Sequence, residues 1–246
     1  MHKLLALLAA LATALAIGIV PAGAVTDGEL DGNGHPGTVL IIMDVDGAPA
    51  FRCSGTFIAP TYVLTAGHCA GEPGDFSGLR VFTESDVQNG DNNYPFGDGN
   101  NTIEAVRWAS HPQFTNGAFF LHDVGILELE EPFGAPADYG ALPTAGQLDT
   151  LKTQRGQQDV TFTAVGYGLQ ESFPDAASFQ ENNVRIRMVA HPKLNQINTG
   201  FVGDFSMLLS NNANTGGTCF GDSGGPNYLG SSNVIAGVTS YGINGN

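Results

Sequence analysis

Short β-branched or alternating apolar runs, separated by polar turns, restrict the fold of this chain more than any other feature. Connectors rich in Gly, Asn and Pro divide the runs, and 34 of the 246 residues are glycine. Many short strands joined by such turns predict an all-β sandwich or barrel, and a chain of this length fits one such domain. The predicted strands are 39–43, 55–58, 62–66, 79–83, 103–108, 124–129, 160–167, 184–189 and 234–240.

A serine near the C-terminus stands inside a glycine-rich turn, Gly221-Asp222-Ser223-Gly224-Gly225. A serine hydroxyl becomes a good nucleophile only when a base takes its proton. Glycines around it let backbone N–H groups approach a developing oxyanion, because no Cβ stands in the way. Far upstream, a histidine occurs in Thr65-Ala66-Gly67-His68-Cys69 and supplies a candidate base. The two segments together predict that Ser223 is a nucleophile.

A site of this kind also needs a buried acceptor that holds the histidine in one tautomer. Asp123 stands at the start of the apolar run 124–129, where a carboxylate is costly unless it is paired. No lysine or arginine lies close to it in the sequence, so His68 is its expected partner. His122 is adjacent, but side chains alternate along a strand, and we expect it to point away.

With these motifs in this order, the chain resembles the trypsin/chymotrypsin family of serine proteases. The resemblance implies two six-stranded antiparallel β-barrels with the active site in the cleft between them. It implies that His68 is the general base and then acid, that Asp123 orients it, and that Ser223 attacks the scissile carbonyl. The N–H groups of Gly221 and Ser223 would form the oxyanion hole. The implied activity is that of a serine-type endopeptidase.

The same resemblance assigns residues to substrate binding. Ser240, Tyr241 and Gly242 match the segment that pairs with an extended substrate, and we expect an edge strand there. Tryptic relatives carry an aspartate six residues before the nucleophile, where this chain has Gly217 followed by Thr218. A cationic side chain would find no charge partner at that place. We therefore predict a preference for uncharged residues at the cleavage site, with glutamate as the alternative.

The three cysteines are interpreted through the resemblance as well. The family joins cysteines at the positions of Cys53 and Cys69, and such a bridge would fix the turn that carries the catalytic histidine. Cys219 is left over. The family's partner for it lies beyond the segment that ends here at Asn246, together with a pocket wall, a last strand and a helix. We therefore expect that the sequence is incomplete and that the second barrel is truncated.

The N-terminal residues have the pattern of a targeting signal. Lys3 precedes an apolar run that ends in small residues at 22–24, which is typical of a secretory signal peptide over residues 1–24. We expect a secreted, extracellular protein whose protease domain covers residues 25–246. In the family, a freed apolar N-terminus pairs its ammonium with the aspartate before the catalytic serine, here Asp222. We expect signal removal to create that terminus at Val25, with a flexible lead-in at 25–34 as the alternative.

The formal net charge of −15 argues against nucleic acid or an anionic membrane as a partner. We expect polypeptide substrates, a protein protease inhibitor as a further partner, and a monomer. No cofactor or metal is expected; calcium in the acidic loop 72–98 is the minority alternative.

Two other functions remain open at this point. One is a catalytically silent homologue that is used for binding, although such proteins usually lose a triad residue. The other is a lipase-like α/β hydrolase, whose Gly-x-Ser-x-Gly turn leads into a helix. Here Pro226 and an expected strand follow the serine, and the order of the three residues differs.

Overall fold

The computed structural model describes residues 25–153, 159–170, 184–198 and 205–242. The predicted signal peptide, residues 1–24, lies outside these ranges. The described residues form thirteen strands and one short α-helix. In chain order they are β1 (Glu29–Leu30), β2 (Thr38–Val45), β3 (Ala48–Ala59), β4 (Tyr62–Thr65), α1 (Gly67–Ala70), β5 (Gly78–Phe82), β6 (Thr102–Ser110), β7 (Gly125–Leu129), β8 (Phe162–Gly166), β9 (Met188–Ala190), β10 (Leu194–Ile197), β11 (Met207–Leu209), β12 (Pro226–Leu229) and β13 (Ile235–Val238).

The first half of the chain closes into a six-stranded antiparallel barrel in the order β2-β3-β4-β7-β6-β5, and β5 pairs back with β2. Each of the six strands predicted in this half overlaps one of the barrel strands. Alternate residues point inward, because successive side chains of a strand face opposite sides. Val39, Ile41 and Met43 of β2 accordingly share one core with residues of every other barrel strand.

Strand β2 is buried on both faces, which explains why it reads as a continuous apolar run. Its other face carries Leu40 and Ile42, which pack with Phe82, Val87 and Tyr167 in a second cluster. Tyr167 directly follows β8 and has no exposed surface. The barrel is therefore joined to the second half through an apolar contact rather than through a solvated seam.

The second half of the fold also takes in the N-terminal residues from Val25 to β1. It forms an open five-stranded sheet in the order β1-β9-β8-β12-β13, and β10 and β11 form a separate two-stranded sheet. Within the described ranges, the expectation of two closed barrels is thus confirmed for the first half only. The all-β class is confirmed. The predicted strand 184–189 is wrong over its first residues, since β9 begins at Met188. Residues 185–187 instead bond to the first half: Val87 N donates to Arg185 O (2.9 Å), and Arg187 N donates to Ser85 O (2.7 Å).

A buried arginine links the two halves behind the cleft. The Arg187 side chain has no exposed surface, and its Nε donates to Asp31 Oδ2 at 2.9 Å. Its Nη1 donates both to Thr38 O at 2.9 Å and to the Tyr167 hydroxyl at 3.3 Å. A buried charge is tolerated only when it is paired and hydrogen-bonded in this way. The node fixes the chain before β2 against the segment that leads into β9.

The helical content is small. Helix α1 has four residues, and no helix in the described part of the chain is long and apolar enough to cross a membrane.

Candidate active site

Helix α1 holds His68 at the mouth of the barrel. The disulfide Cys53–Cys69 joins the helix to β3, with the two Cα atoms 6.1 Å apart, so the predicted bridge is present. A Cβ on Gly67 would lie 2.8 Å from the Phe114 ring, which explains why glycine precedes the histidine. The side chain of His68 is 27% exposed and faces the cleft between the two halves. The histidine is thus fixed on one side and accessible on the other.

Asp123 is the hydrogen-bond partner of this histidine. Its Oδ2 lies 2.9 Å from His68 Nδ1, and its Oδ1 accepts from the His68 backbone N–H at 2.8 Å. The carboxylate is 4% exposed, and β7 begins two residues later. A carboxylate on Nδ1 leaves Nε2 of the ring directed towards the cleft as the proton acceptor. The structure therefore brings His68 and Asp123 together as expected.

Two residues near Asp123 have contacts that the sequence analysis did not predict. The Ser240 hydroxyl donates to Asp123 Oδ2 from the end of the chain, a contact that no sequence signal indicated. His122 precedes β7 and has a positive φ of 54°, so the predicted strand alternation does not set the direction of its side chain. Its ring stacks on His111, with the ring centroids 5.0 Å apart. In the part of the chain that the structure describes, no hydrogen bond joins His122 to the Asp123 carboxylate.

Ser223 lies in a tight turn between Cys219 and β12, and it is partly exposed in the cleft. Gly224 has φ of 84°, and a Cβ there would lie 2.1 Å from Thr65 Oγ1. The glycine is therefore required for close contact with the strand that leads into α1. In the described residues, neither Gly221 N–H nor Ser223 N–H has a protein acceptor. An oxyanion hole requires donors without a protein acceptor, and Ser223 lines the cleft whereas Gly221 is not among its lining residues, so the hole stays a prediction.

Ser223 and His68 line the same cleft. Among the residues that the structure describes, no hydrogen bond joins the two side chains. Catalytic hydrogen bonds are often long without substrate and tighten only in the reacting complex.

Asp222, next to the nucleophile, is fully buried. Its Oδ1 accepts from Gly168 N and its Oδ2 from Cys219 N, both at 2.8 Å. Burial raises the pKa of Asp222 to about 6, although the two N–H groups and the charge of Arg52 act in the opposite direction. Val25 is also fully buried, and it packs against Met188 and Ala190. While Val25 is still joined to Ala24, it has no free ammonium that could pair with Asp222. The negative charge of the Asp222 carboxylate is then not fully compensated.

The residues expected to bind substrate lie at one end of the cleft. Thr218, Ser240, Tyr241 and Gly242 line it. Gly217 is not among the lining residues, and its N–H donates to Thr26 O at 3.0 Å. The edge strand expected at 240–242 is wrong as secondary structure, because β13 ends at Val238. Ser240 turns its hydroxyl to the carboxylate of the site, and the segment continues beyond the sheet.

An aromatic cluster lines the cleft beside His68 and Tyr241. Phe119 meets the His68 ring edge-on at 6.4 Å, and it also contacts Phe120 and Tyr241. Phe119 and Phe120 are 42% and 47% exposed, which leaves their faces open to a ligand. This apolar wall was not predicted from the sequence.

One group of metal-binding residue types lies within a ligand's reach in the described ranges: Cys53, His68 and Cys69. The two sulfurs are bonded to each other, and metal binding needs thiolates, so this group does not suit an ion. In the acidic loop, carboxylates accept hydrogen bonds from asparagine side chains; Asp91 Oδ2, for example, accepts from Asn100 Nδ2 at 2.6 Å.

Comparison with known proteins gives consistent results. The family model described as trypsin matches residues 33–246. The chymase of Papio hamadryas is 26% identical and covers 87% of this chain and 78% of its own length. The venom serine protease Bi-VSP of Bombus ignitus is 28% identical over 79% of this chain. Ovochymase of Halocynthia roretzi is 23% identical over 77% of this chain.

The chain spans 53% of the Bombus ignitus protein and 12% of ovochymase, so it matches only part of these two relatives. The solved structure of HL collagenase has the same fold, with a TM-score of 0.66, 20% identity, and coverage of 88% of this chain and 86% of that one.

Proposed function

Because this chain belongs to the trypsin family of serine proteases, we propose that it is a secreted endopeptidase that acts through an acyl-enzyme on Ser223. The observation that carries the proposal is the hydrogen-bonded pair of Asp123 and His68. Asp123 Oδ2 lies 2.9 Å from His68 Nδ1, in the cleft that Ser223 also lines. His68 takes the hydroxyl proton of Ser223 as the scissile carbonyl is attacked and returns it to the leaving amine. Asp123 stabilises the imidazolium that forms between these steps.

The charge of the tetrahedral intermediate would fall on the carbonyl oxygen of the substrate. We infer that the N–H groups of Gly221 and Ser223 receive this charge, and donors of this kind commonly supply the largest single part of the rate enhancement. Water then repeats the attack on the acyl-enzyme with His68 again as the base.

Labelling with a serine-directed phosphonate tests the nucleophile. The wild-type protein should be labelled and should cleave peptides, and Ser223→Ala and His68→Ala should each lose nearly all activity, because the triad acts as a unit. Ser232→Ala is a matched control, since Ser232 lies in an exposed turn of the same half. Normal turnover in Ser223→Ala, or equal labelling of both serine variants, would contradict the proposal.

We propose that the substrate carries uncharged residues around the cleaved bond. The position that selects cations in tryptic relatives is Gly217 here, beside the neutral side chain of Asn211. The exposed faces of Phe119 and Phe120, which also line the cleft, favour apolar side chains. Cleavage of a peptide library should favour uncharged residues, and a profile dominated by Lys and Arg would contradict this specificity. A profile led by glutamate would favour the alternative.

We also propose that Ser240, Tyr241 and Gly242 bind the substrate backbone, and that a terminus freed at Val25 pairs with Asp222. Burial of Val25 in the second half supports the second proposal, because the aspartate lies in the same half. Amino-terminal sequencing of secreted, active protein should give Val25 as its first residue. Any other first residue would exclude signal removal as the activating step.

A further inference from the structure

The Ser54 side chain connects three segments beneath the nucleophile turn. Ser54 lies on β3 directly after the disulfide-bonded Cys53, and it has no exposed surface. Its hydroxyl donates to Gly221 O at 2.9 Å and accepts from Tyr167 N at 3.0 Å. Its backbone N–H donates to Ser223 O at 2.7 Å. One residue of the first barrel thus contacts both residues whose N–H groups form the candidate oxyanion hole.

The hydroxyl of Ser54 acts on the peptide between Gly221 and Asp222. The C=O of this peptide accepts from Ser54, and its N–H donates to Cys219 O at 3.0 Å. Gly221 has φ of 98°, in a region where glycine has wide conformational freedom, so the local chain does not fix the peptide's direction. The two oxyanion donors stand on either side of this peptide. Their directions therefore depend on the bond from Ser54.

The other end of this connection is firmly held. Tyr167 is fully buried, and its hydroxyl donates to Glu84 O at 2.7 Å. The next N–H along the chain, that of Gly168, donates to Asp222 Oδ1 at 2.8 Å. The segment after β8 therefore fixes the nucleophile turn twice, once directly and once through Ser54.

We propose that Ser54 is a positioning residue for catalysis, whose hydroxyl holds the Gly221–Asp222 peptide so that both oxyanion donors point at the reacting carbonyl. The inference rests on the proposed endopeptidase function. It does not require Ser54 to touch the substrate. Loss of the hydroxyl should weaken binding of the transition state and leave binding of the ground state unchanged.

The test compares Ser54→Ala with Thr56→Ala. Thr56 is a matched control: it lies on the same strand, it is buried, and its hydroxyl bonds to Tyr228 of the second half at 2.9 Å. Both variants are assayed at a temperature at which circular dichroism shows them folded. Ser54→Ala should lower kcat by about 10- to 100-fold with KM within about twofold, and Thr56→Ala should change both by less than about twofold.

A peptidyl trifluoromethyl ketone, which forms an oxyanion on the nucleophile, gives a second measurement. Its inhibition constant should rise in Ser54→Ala by the factor by which kcat falls. The inference is overturned by a kcat near that of the wild type, by a loss that appears in KM alone, or by equal losses in both variants. A Ser54→Ala protein that cannot fold where Thr56→Ala does would also overturn it. A wild-type protein that cleaves no peptide and takes no phosphonate would instead refute the proposed function.

Discussion

Replacing Asp222 by asparagine should change how the free energy of unfolding depends on pH. Burial raises the pKa of Asp222 from 3.8 to about 6. Between these two values the folded chain keeps a proton that the unfolded chain has lost. The contribution of this group to stability is therefore complete below pH 3.8, falls as the pH rises to about 6, and stays low above that.

The size of the effect follows from the shift. A pKa change of about two units corresponds to about 3 kcal/mol, which the ionised carboxylate costs the folded state at neutral pH. Asparagine cannot ionise, but its amide nitrogen cannot accept one of the two backbone N–H bonds, which costs about 1 kcal/mol. Asp222→Asn should therefore be about 2 kcal/mol more stable than the parent at pH 7. The advantage should disappear by about pH 4.

Urea unfolding from pH 4 to pH 7.5, followed by circular dichroism, measures this difference. The parent is Ser223→Ala, which should prevent autolysis, in a form that still has Ala24 before Val25. Other titrating groups cancel in the difference between variant and parent. Asp46→Asn is the matched control, because Asp46 is exposed on a turn between β2 and β3. A difference that does not vary with pH for Asp222→Asn would refute the reasoning.

The same measurement on a chain that begins at Val25 tests the activating ion pair. An ammonium beside Asp222 would favour the ionised carboxylate and lower its pKa in the folded state. The parent should then lose less stability between pH 4 and 6, and Asp222→Asn should become the less stable protein at pH 7. If the free energy of unfolding depended on pH as it does in the longer chain, the new terminus would not reach Asp222.

Three further changes have defined outcomes. Replacing Cys53 and Cys69 by alanine should lower the free energy of unfolding by about 3 kcal/mol in urea titrations, because the bridge closes a 16-residue span. Arg187→Ala should cost about 3–5 kcal/mol, since its removal takes the arginine partner from the buried Asp31 carboxylate, which then keeps, among the described residues, only its bonds to His35. The exposed Arg107→Ala should cost less than about 1 kcal/mol. Ser240→Ala should lower kcat by about tenfold in steady-state assays, because the triad aspartate loses a charge-assisted hydrogen bond.

The barrel strands and the motifs around the histidine and the nucleophile could be predicted because their signals are local. The apolar run of β2 and the apolar residues of β5 place Ile41 and Val81 in one core, and each strand can be recognised from its own sequence. The glycines beside Ser223 likewise predict a turn that needs close backbone contact. Such features depend on neighbouring residues, so a single sequence is enough.

The rest depends on contacts between distant residues. The start of β9 was misplaced because residues 185–187 bond to the loop near Ser85, which a run of apolar residues cannot reveal. Ser240 lies 117 residues from Asp123 in the sequence, and Ser54 lies 167 residues from Gly221. A serine offers no periodic signal, and its role appears only when the partner's position is known.

These long-range bonds determine which half of the fold holds each part of the site. The histidine and its carboxylate are held within the first barrel, through the disulfide and the bond from Asp123 to the backbone of His68. The nucleophile turn belongs to the second half, yet β3 of the first barrel holds it through Ser54. Relative movement of the two halves would therefore disturb the oxyanion donors before it disturbed the histidine pair. Catalysis should consequently be lost under milder conditions than the secondary structure of either half.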